Sequence, residues 1–321
     1  MDPAAGATAT HELTGGEREW YDRYDRQIRL WGVEAQRRLA ESHVLIAGTS
    51  CSLLGHELAK NVVLSGIARL GLYSSSKSCG RGFLGSNLNA TVESLCDMNP
   101  HVRVDVIEDI LPTIHEFTIV CAIGMSKKEE LVIANACREK GVAFCTGRTA
   151  GTVGWVFFDF GKSYKFQVKA KKDPKAETES TAMQENEISF CTYAEAVGAP
   201  WGKETRRSEF GWHVALSLLE FEGQHGRMPV GDEADQKALL DTYDKLKAEK
   251  KPSHSKEELL VQVGTVAQFT IPPVAAIVGG MWGREVIKYV SGKDEPINNF
   301  FFFNSKTSSG SLERLGPSEL V

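Results

Sequence analysis

The stretch HVLIAGTSCSLLGHELAKNVVLSG, His43 to Gly66, is built like the opening of a nucleotide-binding unit: an apolar β-branched run, a short turn and a helix. A dinucleotide or ATP turn needs glycines, because backbone N–H groups at the helix N-terminus must approach phosphates closely. Counting back from the helix, the G-x-G-x-x-G register falls on Ser50, Ser52 and Gly55. Serine fills both positions of closest approach, and only the glycine that lets helix pack on strand remains. A ribose-binding carboxylate is expected after the second strand, yet LGLYSSSKSCG offers only serines and a lysine. These residues describe a nucleotide fold whose site has decayed.

Cysteines are the other candidates for chemistry. The seven in the chain form no C-x-x-C pair, which counts against a zinc site or a dithiol centre, and most read as small buried hydrophobes. A nucleophilic thiol needs a partly exposed, electropositive setting. Cys191, in ISFCTYAEA, is the one candidate near a polar segment, and its apolar neighbours suggest a strand interior.

The elements that must position these residues alternate. VEAQRRLAES reads as a helix with Val33, Ala35 and Leu39 inward, HVLIAG as a buried strand, and GHELAKNVVLSG as a helix stopped by Gly66. ARLGLY, VRVDVI and FTIVCAI are further strands, and NATVESLCDMNP is a helix ended by Asn99-Pro100. Ser126 and Glu129 have capping-box spacing at the start of a helix that Gly141 closes before the strand VAFCT. The pattern predicts an α/β, doubly wound, mostly parallel Rossmann-like sheet. WVFFDFG and KFQVK predict its antiparallel continuation. The polar run from about Ala170 to Glu187 predicts a flexible linker, whose KAKK start reads as a solvated loop or as a weak nuclear-import or anion-contact patch. GWHVALSLLEFEGQHG and DEADQKALLDTYDKLKAEK restore helix, and an apolar helix from Pro272 with small residues, then the strand NNFFFF, close the chain.

A chain of 321 residues supports one large domain or two modest ones. Its formal charge of −5 provides no broad cationic field for nucleic acid, and no apolar run approaches the ~20 residues that span a bilayer. The N-terminal MDPAAGATATHELTGGERE lacks a basic n-region followed by an apolar h-region, so a mobile tail and an intracellular location are expected.

The most specific local signal is YDRYDRQIRLWG, Tyr21 to Gly32. It resembles the Y-D-R-Q-I-R-L-W-G segment of the enzymes that activate ubiquitin-like proteins, a family with a ThiF/MoeB-like fold; the following Q-I-R-L-W-G sets the register on Tyr24, Asp25 and Arg26. GHELAKNVVLSGI, DMNPHVRV, FCTGRTAGTVGW, PPVAAIVGGMWGREVIKYVSG and NNFFFF line up with that family in order. The resemblance is nearest to its smaller, Aos-type members, which belong to SUMO-activating enzymes. It implies a flexible tail at 1–20, a degenerate adenylation domain at 21–162, an insertion of linker and helices at 163–264, and a return to the adenylation domain at 265–321.

Active halves of the family keep the glycine turn, an acidic residue after strand two, a lysine near the start of the helix before N-P, and a magnesium-binding aspartate after strand four. Here those places hold Ser50 and Ser52, Ser74 to Ser76, Asn87 to Asn89, and Ala122 to Gly124. The resemblance therefore implies a non-catalytic subunit that pairs with a large catalytic, Uba-type subunit carrying the ATP, the magnesium and the reactive cysteine. SUMO is reached through that complex, in the nucleus alone or in the cytoplasm as well. It assigns Arg26 to the partner's ATP in trans; without it, Arg26 reads as an ion-pair partner of Asp25 at a helix start, and Arg29 competes for the trans role. The alternatives are a regulatory subunit for another ubiquitin-like modifier, which has a longer helical insertion, a homodimeric adenylating enzyme, which needs the lost glycines and acids, and a scaffold without chemistry.

Overall fold

The apolar runs assemble one eight-stranded sheet in the computed structural model, which describes residues 15–74, 83–85, 87–169, 183–201, 211–250 and 257–317. Strands β1 (His43–Gly48), β2 (Arg69–Leu72), β3 (Arg103–Val106), β4 (Ile119–Ile123) and β5 (Ala143–Ala150) run parallel in the order β3-β2-β1-β4-β5. Next to β5, β6 (Val153–Asp159) turns antiparallel. A hairpin of β7 (Tyr164–Lys169) and β8 (Met183–Ile188) stands apart, and β9 (Phe300–Asn304) and β10 (Ser309–Glu313) complete the main sheet beyond β6.

Helices cover both faces, as parallel strands require. One face carries α2 (Val33–Ala40), α3 (Leu53–Leu64), α4 (Leu88–Met98) and α11 (Pro272–Ser291). The other carries the short α5 (Ile110–Thr113), α6 (Lys127–Lys140), α7 (Tyr193–Gly198), α8 (Trp212–His225), α9 (Glu233–Lys250) and α10 (Glu257–Gly264), while α1 (Gly15–Trp31) leans on α2. Side chains of β1 divide with period two: Val44 and Ile46 enter one core, Leu45 and Ala47 the other. Among the described residues no helix is long and apolar enough to cross a membrane.

Local signals explain the boundaries. Ser126 and Glu129 form the reciprocal capping box their spacing predicts, and Gly141 ends α6 in the left-handed region. Helix α11 crosses α3 at two glycines one turn apart: a Cβ on Gly279 would stand 2.7 Å from the Glu57 Cβ, and one on Gly283 2.8 Å from the Asn61 Cβ. Gly280 faces open space, so the close approach rests on Gly279 and Gly283.

Four expectations change. KFQVK does not extend the main sheet, because β9 occupies the place beside β6 and leaves β7 to pair with β8. Residues 183–187, expected as linker, form most of β8; MQENEI is largely exposed and carries no apolar alternation that would have announced a strand. Residues 15–20, expected as tail, are the first turns of α1. Cys191 is buried in the connection before α7, not in a strand. Residues 1–14, Ser75, Ser76 and 170–182, with most of the KAKK run, lie outside the described residues.

His56 ties α3 to α4. Its ring is fully buried; Nδ1 accepts from the Leu84 amide at 3.0 Å, so Nε2 carries the proton and donates to the Thr91 hydroxyl at 3.1 Å. Burial lowers the imidazole from its ordinary 6.5 to about 4. The unfolded chain takes up this proton near pH 6.5 and the folded chain only near pH 4, so the contribution is complete above 6.5 and is lost as the pH falls through that window. The loss amounts to about 3 kcal/mol. The urea midpoint of the chain is expected to drop between pH 7 and pH 5, and His56→Gln, less stable at pH 7, should show a clearly smaller drop; an equal drop in the variant would contradict this account.

Candidate functional site

The carboxyl ends of β1 and β4 meet where the strand order reverses, the place at which open α/β sheets bind ligands. Gly48 has φ 97°, and a Cβ there would lie 2.3 Å from the Ile123 carbonyl. Thr49 follows, and both its amide and its hydroxyl donate to that carbonyl, at 2.8 and 3.1 Å. Ser52 caps α3: its Oγ accepts from the Gly55 amide at 3.1 Å. A helix donor that a nucleotide turn offers to phosphate is thus satisfied within the chain. Gly55 keeps its packing role, since a Cβ would sit 2.2 Å from the Ser50 carbonyl. Ser50 is fully buried, and its hydroxyl has no hydrogen-bond partner among the described residues.

What space remains is a cavity of about 130 Å³, edged by Thr49, Ser52, Ile123, Gly124 and Arg148. Small-molecule sites occupy about 300–1,000 Å³. Arg148 does not stand ready for phosphate either: it pairs with Glu222 at 2.8 Å and donates to the Met125 carbonyl at 2.6 Å. Beside it Glu130 is buried, accepting from Thr146 and Tyr193, and burial pushes its carboxyl up. The end of β4 supplies Ala122, Ile123 and Gly124, without a carboxylate for magnesium. Asn87, in the region of the expected lysine, caps α4 by accepting from the Ala90 amide at 2.9 Å. Among the described residues, those at this switch point do not fit ATP with magnesium.

The other candidate segment lies on α1, where YDRQIRLWG divides by helical spacing into two faces. Tyr24, Gln27 and Trp31 point at the body. Tyr24, 2% exposed and the one buried residue of α1, lies over Gly66, where a Cβ would come within 2.5 Å of its ring; its hydroxyl accepts from Asn99 Nδ2 at 2.9 Å. Gln27 donates to the Leu64 carbonyl at 3.0 Å, and Trp31 to Gln36, which donates on to the Ser65 carbonyl. Asp25, Arg26, Arg29 and Leu30 are exposed on the outward side.

Asp25 pairs with Arg29 at 3.0 Å, not with Arg26. Arg26 lies well inside α1 rather than at a helix start, and makes no hydrogen bond or ion pair among the described residues. Leu30 is 77% exposed and is not part of this chain's core. Sequence reasoning singled out Arg26 but missed Asn99 as the residue beneath Tyr24; its only signal was the helix stop it shares with Pro100. Cys191 donates its thiol hydrogen to the Leu315 carbonyl and accepts from Asn299, and burial raises it to about 11, the opposite of an activated nucleophile.

The model of the ThiF family matches residues 75–319. The chain belongs to the ThiF family. Among its relatives, SUMO-activating enzyme subunit 1 of Rattus norvegicus is 32% identical, with 92% of this chain and 94% of the relative covered. SUMO-activating enzyme subunit 1B-1 of Arabidopsis thaliana is 33% identical over 91% and 95%. The Homo sapiens SUMO-activating enzyme subunit 1 is 31% identical over 92% and 94%. The mostly parallel sheet and its antiparallel continuation are the ThiF-family architecture expected for this chain. Within it the turn is sterically fixed: Gly55→Ala is expected to cost about 1–3 kcal/mol by overpacking against Ser50, read as a lowered urea midpoint with little change in slope.

Proposed function

We propose that this chain is the small, non-catalytic subunit of a heterodimeric SUMO-activating enzyme, and that it acts in the nucleus. Its partner is the large catalytic subunit, which binds ATP and magnesium and carries the thioester cysteine. Adenylation joins the modifier's C-terminal carboxylate to AMP, and negative charge builds on the departing pyrophosphate. A guanidinium held near those phosphates meets that charge with a planar, permanently protonated fork.

The observation that carries this reading is Arg26 on the outward face of α1, without a hydrogen bond or ion pair among the described residues, while the cavity at the chain's own switch point has only about 130 Å³. Asp25 occupies Arg29 and so favours Arg26 over its neighbour. The names of the relatives supply the modifier class, SUMO.

Two measurements test the proposal. Arg26→Ala in the purified heterodimer is expected to slow ATP-dependent adenylate formation on the order of 10²–10³-fold; Arg29→Ala should have a much smaller effect, and normal turnover in an intact Arg26→Ala heterodimer rejects the trans arginine. Titration of the isolated chain with ATP and magnesium at micromolar concentration should give no binding isotherm, and saturable binding would show that its own cleft still works.

A further inference from the structure

We propose that Asn99 and Tyr24 are positioning residues for Arg26, forming a clamp that fixes the direction in which its guanidinium leaves the molecule. The proposal rests on the trans role of Arg26. Helix α1 is 17 residues long, yet Tyr24 is its single buried side chain. Its other ties to the body come from half-buried or exposed side chains: Gln27 to the Leu64 carbonyl at 3.0 Å, Trp31 to Gln36 at 3.0 Å, Arg23 to the Met98 carbonyl at 3.4 Å and Glu19 to His101 at 3.7 Å. Tyr24 is thus the one point at which a side chain of α1 is anchored inside the body.

That meeting point is over-determined. Asn99 is 1% exposed, and its side-chain nitrogen donates both to the Tyr24 hydroxyl at 2.9 Å and to the Val63 carbonyl at 2.8 Å. Its oxygen accepts from the His101 amide at 3.3 Å. One amide so joins the last turn of α3, the end of α4 and the middle of α1. Gly66, with φ 83°, removes any side chain from beneath the ring, and Trp20 packs against its edge with centroids 5.4 Å apart. Residues two apart on a helix differ by about 200° in direction, so Arg26 leaves α1 nearly opposite Tyr24. Rocking about the Tyr24 contact moves the guanidinium directly, and a misplacement of about 1 Å is enough to cost ~10²-fold in rate.

The test is a double-mutant cycle in the heterodimer with the large catalytic subunit, read as ATP–pyrophosphate exchange dependent on the modifier. Asn99→Ala is expected to lower kcat roughly 10- to 100-fold, and Tyr24→Phe, which keeps the ring, by a smaller factor. The KM values for ATP and modifier should stay unchanged. In the Arg26→Ala background neither substitution should lower kcat further, a coupling that loss of stability alone does not produce. Losses that multiply with Arg26→Ala, or full kcat in Tyr24→Phe and Asn99→Ala while Arg26→Ala is impaired, would overturn the clamp and leave the arginine's role standing. Unimpaired Arg26→Ala would overturn both. If Asn99→Ala fails to assemble, Tyr24→Phe alone decides.

Discussion

The parallel ladder between β1 and β4, Val44 to Gly48 against Ile119 to Ile123, is the constraint from which the rest of the molecule follows. Both strands are buried on both faces, so each residue enters one of two cores and no backbone polar group is left to water. Holding the two strands in register brings Gly48 against the Ile123 carbonyl and places Thr49 across the end of β4. Among the described residues, the narrowness of the cleft is thus a product of the same backbone contacts that build the sheet.

Charge inside the molecule follows the same economy. Arg148 pairs with Glu222 close to the cavity, and Glu130 is held by two hydroxyl donors. Removing a single partner from such a buried pair is strongly destabilising, because a lone charge in a dry interior is costly. An interior of this kind supports shape.

Much of this was legible in the sequence. Strands β1, β4 and β5 announced themselves as apolar runs, and α6 through its capping box, because these features depend on residues close together in the chain. What was not legible depends on partners far away. The β7–β8 hairpin is held by its ladder and by pairs such as Lys165 with Glu185, and β8 has no buried face to impose alternation. Cys191 is buried by Asn299 and Leu315, more than 100 residues distant. The exposure of Leu30 is a matter of which side of α1 meets the body, and Asn99 under Tyr24 is a contact across 75 positions.

The two-faced segment on α1 has a consequence for how the chain tolerates change. Tyr24, Gln27 and Trp31 are held in place by the need to fold, since each grips the body of its own molecule. Arg26 and Leu30, both exposed, have no such protection: folding alone would let both drift. Selection on the isolated chain would erode one half of the nine-residue segment and preserve the other, so the two halves evolve under different masters although they share a single helix.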